Sequence, residues 1–238
     1  VYLVFIVVFV RFVMKRFYLS VLFLCSFGSL FAGGPSFAFC DYSQGKVFIQ
    51  ENGEIVWEHK APDSNDIWVL PNKNILFTAG KEVLEVSRKN DTIFHYTSES
   101  NIFACQRLKN GNTFIGECDN GRLLEVSPDG SIVKDVSILP FGVKTGGHAF
   151  MRNARCLDNG HYLVAHYGGK SVVEYDENGK AVWNIPVPGG AHSVIRLPSG
   201  NTLVAVTDKD NNPGVFEYDM AGNIVWSLTN KGLPGTLK

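Results

Sequence analysis

The sequence predicts an all-β chain built from repeated four-stranded antiparallel meanders. Three observations carry this. Residues 190–228 hold four short apolar runs, at 192–197, 201–206, 215–219 and 223–228, rich in Val, Ile, Phe, Tyr and Trp. Turn-forming stretches separate them: Pro198-Ser199-Gly200, the polar segment 208–213 and Ala221-Gly222. The arrangement recurs through nearly all of the chain after residue 35, where no long run keeps an apolar 3.6-residue period.

The chain in order begins with a different kind of segment. Residues 1–10 are wholly apolar, Arg11, Lys15 and Arg16 add positive charge, and 17–32 form a second apolar run ending in small residues. Read from Met14, residues up to about 34 resemble a secretory signal with cleavage after Ala32; a retained membrane anchor is the rival reading. Either way the expectation is an exported chain, periplasmic or secreted, that meets a membrane only through this leader. A net charge of −1 leaves no basic footprint for nucleic acid. Past the leader stand Cys40, Cys105, Cys118 and Cys156, with no CxxC pair and no zinc spacing. A two-residue Asn110-Gly111 turn sets Cys105 opposite Gly116 and Cys118 opposite Phe103, which disfavours a bridge and points to buried free thiols.

From residue 35 to 238 the repeat takes over. Aligned on the turn before the last strand, Gly53, Asn90, Gly130, Gly179 and Gly222 lie 37, 40, 49 and 43 residues apart. Such intervals are those of β-propeller blades. Four residues later stand Trp57, Phe94, Lys134, Trp183 and Trp226; five residues earlier stand Phe48, Glu85, Glu125, Glu174 and Glu217. The aromatics suit sealing one blade against the next. The glutamates suit answering donors of an adjacent blade, a structural role that recurrence favours. Lys134 breaks the aromatic pattern, so the packing is expected to be loosest there. Residues 36–40, 46–50 and 54–59 give three strands of a first blade without its innermost one. Four full blades follow over 65–96, 102–137, 149–185 and 191–228. The last ten residues, rich in Gly and Pro, suit neither another blade nor a closing strand. An unpaired first blade leaves a sheet edge that invites a second copy.

The phrases "LPSGNTLVAV…GVFEYDMAGNIVW", "RLKNGNTFIGECDNGRLLEVSPDG" and "GGHAFMRNARCLDNGHYLVAHYG" resemble the PQQ-like β-propellers, in the branch similar to bacterial arylsulfotransferases, over about residues 45–235. The nearest likeness is to uncharacterised secreted bacterial propellers. The resemblance implies a six-bladed ring of which about five blades are present; closure of five blades is the alternative. It does not carry the PQQ cofactor. The tryptophan-docking Thr-Gly motif of the quinone dehydrogenases is missing, and Asp208-Lys209-Asp210-Asn211-Asn212 lacks the Gly and distal Glu of a calcium loop, so no metal is expected.

In a propeller the innermost strands line the channel. Here these strands are 65–70, 102–108, 149–157 and 191–197, and their polar members include Asn65, Asp66, Gln106, Arg107, Arg152, Asn153, Arg155, His192, Ser193 and Arg196. Asn65, Arg152, Asn153, Arg155, His192 and Arg196 are the candidate ligand contacts. The transferase resemblance implies a channel histidine that accepts a sulfuryl group beside an arginine that neutralises its oxygens; His148, His192 and Arg155 occupy comparable positions. His166 is a minor candidate. No GxSxG, HExxH, P-loop or paired-carboxylate signature appears. The leading expectation is a binding module for a small molecule, a glycan or an envelope protein, without catalysis. The alternative is an arylsulfotransferase-like enzyme, or one acting on carbohydrates or sulfate esters. A scaffold for outer-membrane protein assembly is a third reading.

Overall fold

The computed structural model describes residues 36–140, 146–147, 149–207 and 213–229. The leader, His148, the 208–212 segment and the last nine residues lie outside them. Nineteen strands form five antiparallel sheets arranged as the blades of a β-propeller, with no helix among the described residues. Blade 1 has three strands: β1 (Phe37–Asp41), β2 (Lys46–Glu51) and β3 (Glu54–Lys60). Blade 2 runs from β4 (Ile67–Val69) through β5 (Ile75–Ala79) and β6 (Glu82–Val86) to β7 (Thr92–Thr97). Blade 3 holds β8 (Ile102–Arg107), β9 (Thr113–Glu117), β10 (Arg122–Val126) and β11 (Ile132–Ser137). Blade 4 holds β12 (Asn153–Cys156), β13 (Tyr162–His166), β14 (Ser171–Tyr175) and β15 (Ala181–Pro186). Blade 5 holds β16 (Gly190–Arg196), β17 (Thr202–Thr207), β18 (Gly214–Tyr218) and β19 (Ile224–Thr229).

Each full sheet is a meander because each turn is too short for anything else. The first turn is a three-residue loop. In blade 3 the Gly111 N–H donates to Leu108 O, the Leu108 N–H donates to Asn112 O, and Gly111 alone takes a positive φ, 89°. Leu108 therefore faces Asn112, and Cys105 faces Ile115 rather than Gly116. The expected two-residue turn is corrected by one residue of register. Cys105 and Cys118 remain unbridged and buried, and Cys40 and Cys156 are free and half-buried. Burial pushes the Cys40 and Cys118 thiols up to about 11.

In blades 2 to 5 the third strand, and in blade 1 the second, carries a bulge directly after one residue, and that residue faces the aromatic position of the following strand. The pairs are Glu85 with Phe94, Glu125 with Lys134, Glu174 with Trp183 and Glu217 with Trp226. In blade 1 the partner of Trp57 is Ile49, not Phe48. Its turn is the shorter two-residue kind, with Asn52 at φ 54° and Gly53 at φ 87°, so the spacing of five residues becomes misleading there.

The core lies between blades. One face of each sheet packs on the opposite face of the next. Leu76, Val83 and Phe94 of blade 2 meet Ile102, Cys105, Ile115 and Leu124 of blade 3. Leu163, Ala165, Val172 and Ile185 of blade 4 meet Val194, Val204, Val206 and Tyr218 of blade 5.

A polar clamp accompanies this packing at two junctions. Arg107 of β8 donates to Glu85 at 2.6 Å, donates to Gly111 O at 2.8 Å, and stacks 5.2 Å from the Phe94 ring. Arg196 of β16 repeats this with Glu174 at 2.6 Å, Gly200 O at 3.1 Å and the Trp183 ring at 4.8 Å. The glutamates also take the turn residues: Asn74 donates to Glu85 at 2.6 Å, and His161 lies 2.8 Å from Glu174. Between blades 3 and 4 the positive charge changes sides. Cys156 stands where the arginine would be, and Lys134 lies 5.2 Å over Tyr162, whose ring stacks on Phe114. The core continues through this junction, so the loose packing expected at Lys134 is replaced by a filled one.

Candidate functional site

Innermost strands of a propeller do not share a backbone ladder, so their polar groups need other partners. Here side chains supply them, each reaching the strand of the next blade. The Asp66 carboxylate accepts the Cys105 N–H at 3.0 Å, and the Trp68 Nε1–H donates to Cys105 O at 2.6 Å. The Gln106 amide takes the Cys156 N–H at 3.0 Å and donates to Cys156 O at 3.2 Å. Asn153 accepts the Val194 N–H at 3.3 Å. These are ladder bonds made by side chains.

Arg155 reaches farther. Its two terminal nitrogens grip Asp66 at 2.6 and 2.9 Å, linking blade 4 to blade 2, and its guanidinium lies 5.0 Å from the Trp68 ring. Both side chains are largely buried, at 14% and 7% exposure. A planar guanidinium held by two bonds to one carboxylate and a stacked indole is spent as an anion receptor.

Three other candidates do converge. Arg152, just before β12, has Nη2 at 3.2 Å from His192 Nε2 and at 3.4 Å from Asn65 Oδ1, and its guanidinium covers the Phe103 ring at 4.5 Å. The Tyr167 ring stands edge-on to His192, with centroids 6.3 Å apart. Two bulges build this group. The β16–β17 pairing skips from Ala191 to Ser193, leaving His192 as the extra residue, and the β8–β9 pairing skips Phe103 in the same way. An extra residue in a strand turns its side chain out of the alternation and aims it elsewhere. Burial lowers the pKa of His192, and the neighbouring Arg152 lowers it further. A guanidinium only donates, so Nε2 accepts from it and the ring is neutral with its proton on Nδ1.

The sequence candidates thus divide. Asn65, Arg152 and His192 come together. Arg155, Asn153 and Arg196 are tied into blade junctions, and no bond joins Arg155 to His192 among the described residues. His148 lies outside them. His166 joins neither group: buried at the end of β13, it has Nδ1 2.7 Å from Phe150 O and Nε2 2.8 Å from the Tyr175 hydroxyl. Phe103 went unnoticed in the sequence because apolar strand residues read as core, and Tyr167 because it lies in the turn after β13, outside the innermost strands.

Where the inner strands end, a cleft of about 670 Å³ opens, lined by Trp68, Gln106, Arg155, Ile195, Leu197 and Met220 among others. Its exposed lining is mostly apolar, with Gln106, Asp158, Glu174 and Arg196 bonded to neighbours and the Arg155 Nε left without a hydrogen-bond partner among the described residues. Such a cavity suits recognition by shape.

No family model matches the sequence, and no curated protein matches it. Solved structures do superpose on it, and they are β-propellers. A Bacteroides caccae protein of unknown function gives a TM-score of 0.72 at 21% identity, over 83% of this chain and 74% of that one. Virginiamycin B lyase from Staphylococcus aureus, in its inactive H270A form with quinupristin, gives 0.55 at 13% identity, over 84% and 74%. BBS1N in complex with ARL6DN gives 0.56 at 18% identity, over 86% and 64%. At these identities the likeness is one of fold.

Proposed function

We propose that this protein is an exported β-propeller that binds a ligand or a partner protein without catalysing a reaction. The observation that carries the reading is the commitment of Arg155 to Asp66, which occupies the arginine that the sequence resemblance pairs with a channel histidine. What remains is an apolar cleft on one hand and a small Arg152–His192–Asn65 group on the other. Neither needs a cofactor. The fold suits protein recognition as well as small ligands; BBS1N, a propeller, is solved with ARL6DN.

One observation favours a second reading. His192 is neutral and in contact with a guanidinium; release of the Arg152 bond would free the Nε2 lone pair to accept a sulfuryl group, with Arg152 beside it to neutralise the oxygens. The two readings separate in one assay. The protein is incubated with 4-nitrophenyl sulfate and excess phenol, and 4-nitrophenol release is followed. Binding alone gives release at the blank rate from both the wild type and His192→Ala. Sustained release that His192→Ala abolishes, with an unchanged thermal melt, would establish the transferase reading in its place.

A further inference from the structure

The face of blade 5 that points away from blade 4 differs from its counterparts. Leu203, Ala205 and Val215 occupy the positions of Leu163, Ala165 and Val172, which are fully buried against the next blade, yet they are only half-buried. Trp226 is 47% exposed and Leu228 37%, whereas Trp57 and Phe94 at the Trp226 position are 6% and 5% exposed. Glu217 stands opposite Trp226 and is held by Asn201 at 2.7 Å, as Glu85 is held by Asn74. Among the described residues no cation reaches Glu217. The face therefore presents the acidic and aromatic halves of the clamp that Glu85–Phe94 and Glu174–Trp183 complete with an arginine.

We infer that this face is a docking surface for a further four-stranded blade of the same repeat, whose innermost strand carries an arginine that stacks on Trp226 and pairs with Glu217. The chemistry of the occupant follows from the two completed junctions. At both, the arginine directly precedes the leucine that opens the first turn, in Arg107-Leu108 and Arg196-Leu197, and both turns close on Gly-Asn. The sheet behind that arginine presents apolar residues such as Val194, Val204 and Val206 to the blade before it. A second copy of this chain does not supply this: its Arg107 and Arg196 are already engaged, and the cation of its first blade, Lys46 over the Phe48 ring, is already paired with Glu58 at 2.9 Å. A half-exposed apolar face with a carboxylate that no cation among the described residues reaches favours a partner that brings both an apolar sheet and a single positive charge.

The test extends the full chain at Lys238 by a copy of residues 187–229, which carries its own Arg196, with the copied Trp226 changed to Phe. Uniform 5-fluorotryptophan labelling reads each indole by 19F NMR, assigned with Trp226→Phe. The expected result is that the native Trp226 loses its solvent isotope shift, moving from half-exposed to the level of Trp57. Arg196→Leu in the added copy alone, or Glu217→Gln, returns most of that shift. A second extension with residues 102–137, carrying Arg107, serves if the first does not fold. Continued exposure of Trp226 in folded extensions overturns the inference, as does burial that neither charge change affects. It is equally overturned if Trp226 becomes buried in the unextended protein as sedimentation shows a dimer, which makes a second copy the occupant.

Discussion

Replacing Arg155 with Met separates a structural arginine from an anion receptor. The side chain keeps most of its apolar stem, so packing on Trp68 survives while the charge and both bonds to Asp66 are lost. Among the described residues the buried Asp66 carboxylate then keeps one donor, the Cys105 N–H at 3.0 Å. Removing one partner of a buried ion pair costs about 3–5 kcal/mol, because the survivor is left charged and desolvated. The 14% and 7% exposure of the two side chains puts the pair in that class rather than among surface pairs. For a domain of this size such a loss lowers Tm by roughly 10 °C. The assay is urea unfolding and calorimetry of wild type, Arg155→Met, Asp66→Asn and the double variant. Asp66→Asn keeps an acceptor for Cys105, so the double variant recovers much of the loss, with a coupling energy of about 2 kcal/mol or more. A cost below about 1 kcal/mol for Arg155→Met, as for an exposed pair, refutes the reasoning and returns Arg155 to the candidate ligand contacts.

Further outcomes follow from the same geometry. His166 and His192 both have pKa values lowered by burial, so the unfolded chain takes up their protons first. Their contribution to stability is present above the ordinary histidine pKa of 6.5 and is lost as pH falls below it, which unfolding midpoints between pH 7.5 and about 5 measure. Arg152→Met raises the His192 titration midpoint in proton NMR and leaves that of His166 in place. A β-carbon at Gly190 collides with the Tyr167 ring. Gly190→Ala therefore costs about 1–3 kcal/mol and shifts the His192 ring protons. Lys134→Met, which keeps the stem over Tyr162 and removes the charge, costs about 0.5–2 kcal/mol by urea unfolding.

The repeat made most of the fold legible before any coordinates. Intervals of 37 to 49 residues, the recurring Asn-Gly turns and the Glu-to-aromatic spacing placed the blades, and the structure keeps those assignments for blades 2 to 5. The misses in register are all single residues. A three-residue loop instead of a two-residue one moves Cys105 from Gly116 to Ile115, and a shorter turn in blade 1 puts Ile49 where Phe48 was expected. Alternation has a period of two, so one residue more or less sends a side chain to the other face. The clamp was half legible: the glutamates repeat in register, while their arginines sit in a different strand, more than twenty residues away, and at two of four junctions are replaced by Val69 and Cys156.

The candidate site was less legible for a reason built into the architecture. A polar residue on an innermost strand looks like a channel-lining ligand contact, and Asp66, Gln106, Asn153 and Arg155 all fit that description. Yet these strands have no backbone partner on the next blade, and their side chains serve in its place, bonding Cys105, Cys156 and Val194. Polarity there is first a requirement of assembly. The residues released from that duty are the ones that a bulge has turned aside, and His192 is such a residue. His192 meets Arg152 and Asn65 because one extra residue in β16 breaks the alternation that every other innermost side chain obeys, apart from Phe103, which lies under the same arginine. The two bulges stand at the same place in the repeat, four residues before Arg196 and Arg107, as Asn65 and Arg152 stand four before Val69 and Cys156, so the repeat itself gathers these four side chains at one point. That shared position, rather than residue type, is the reason to look for the ligand at Arg152.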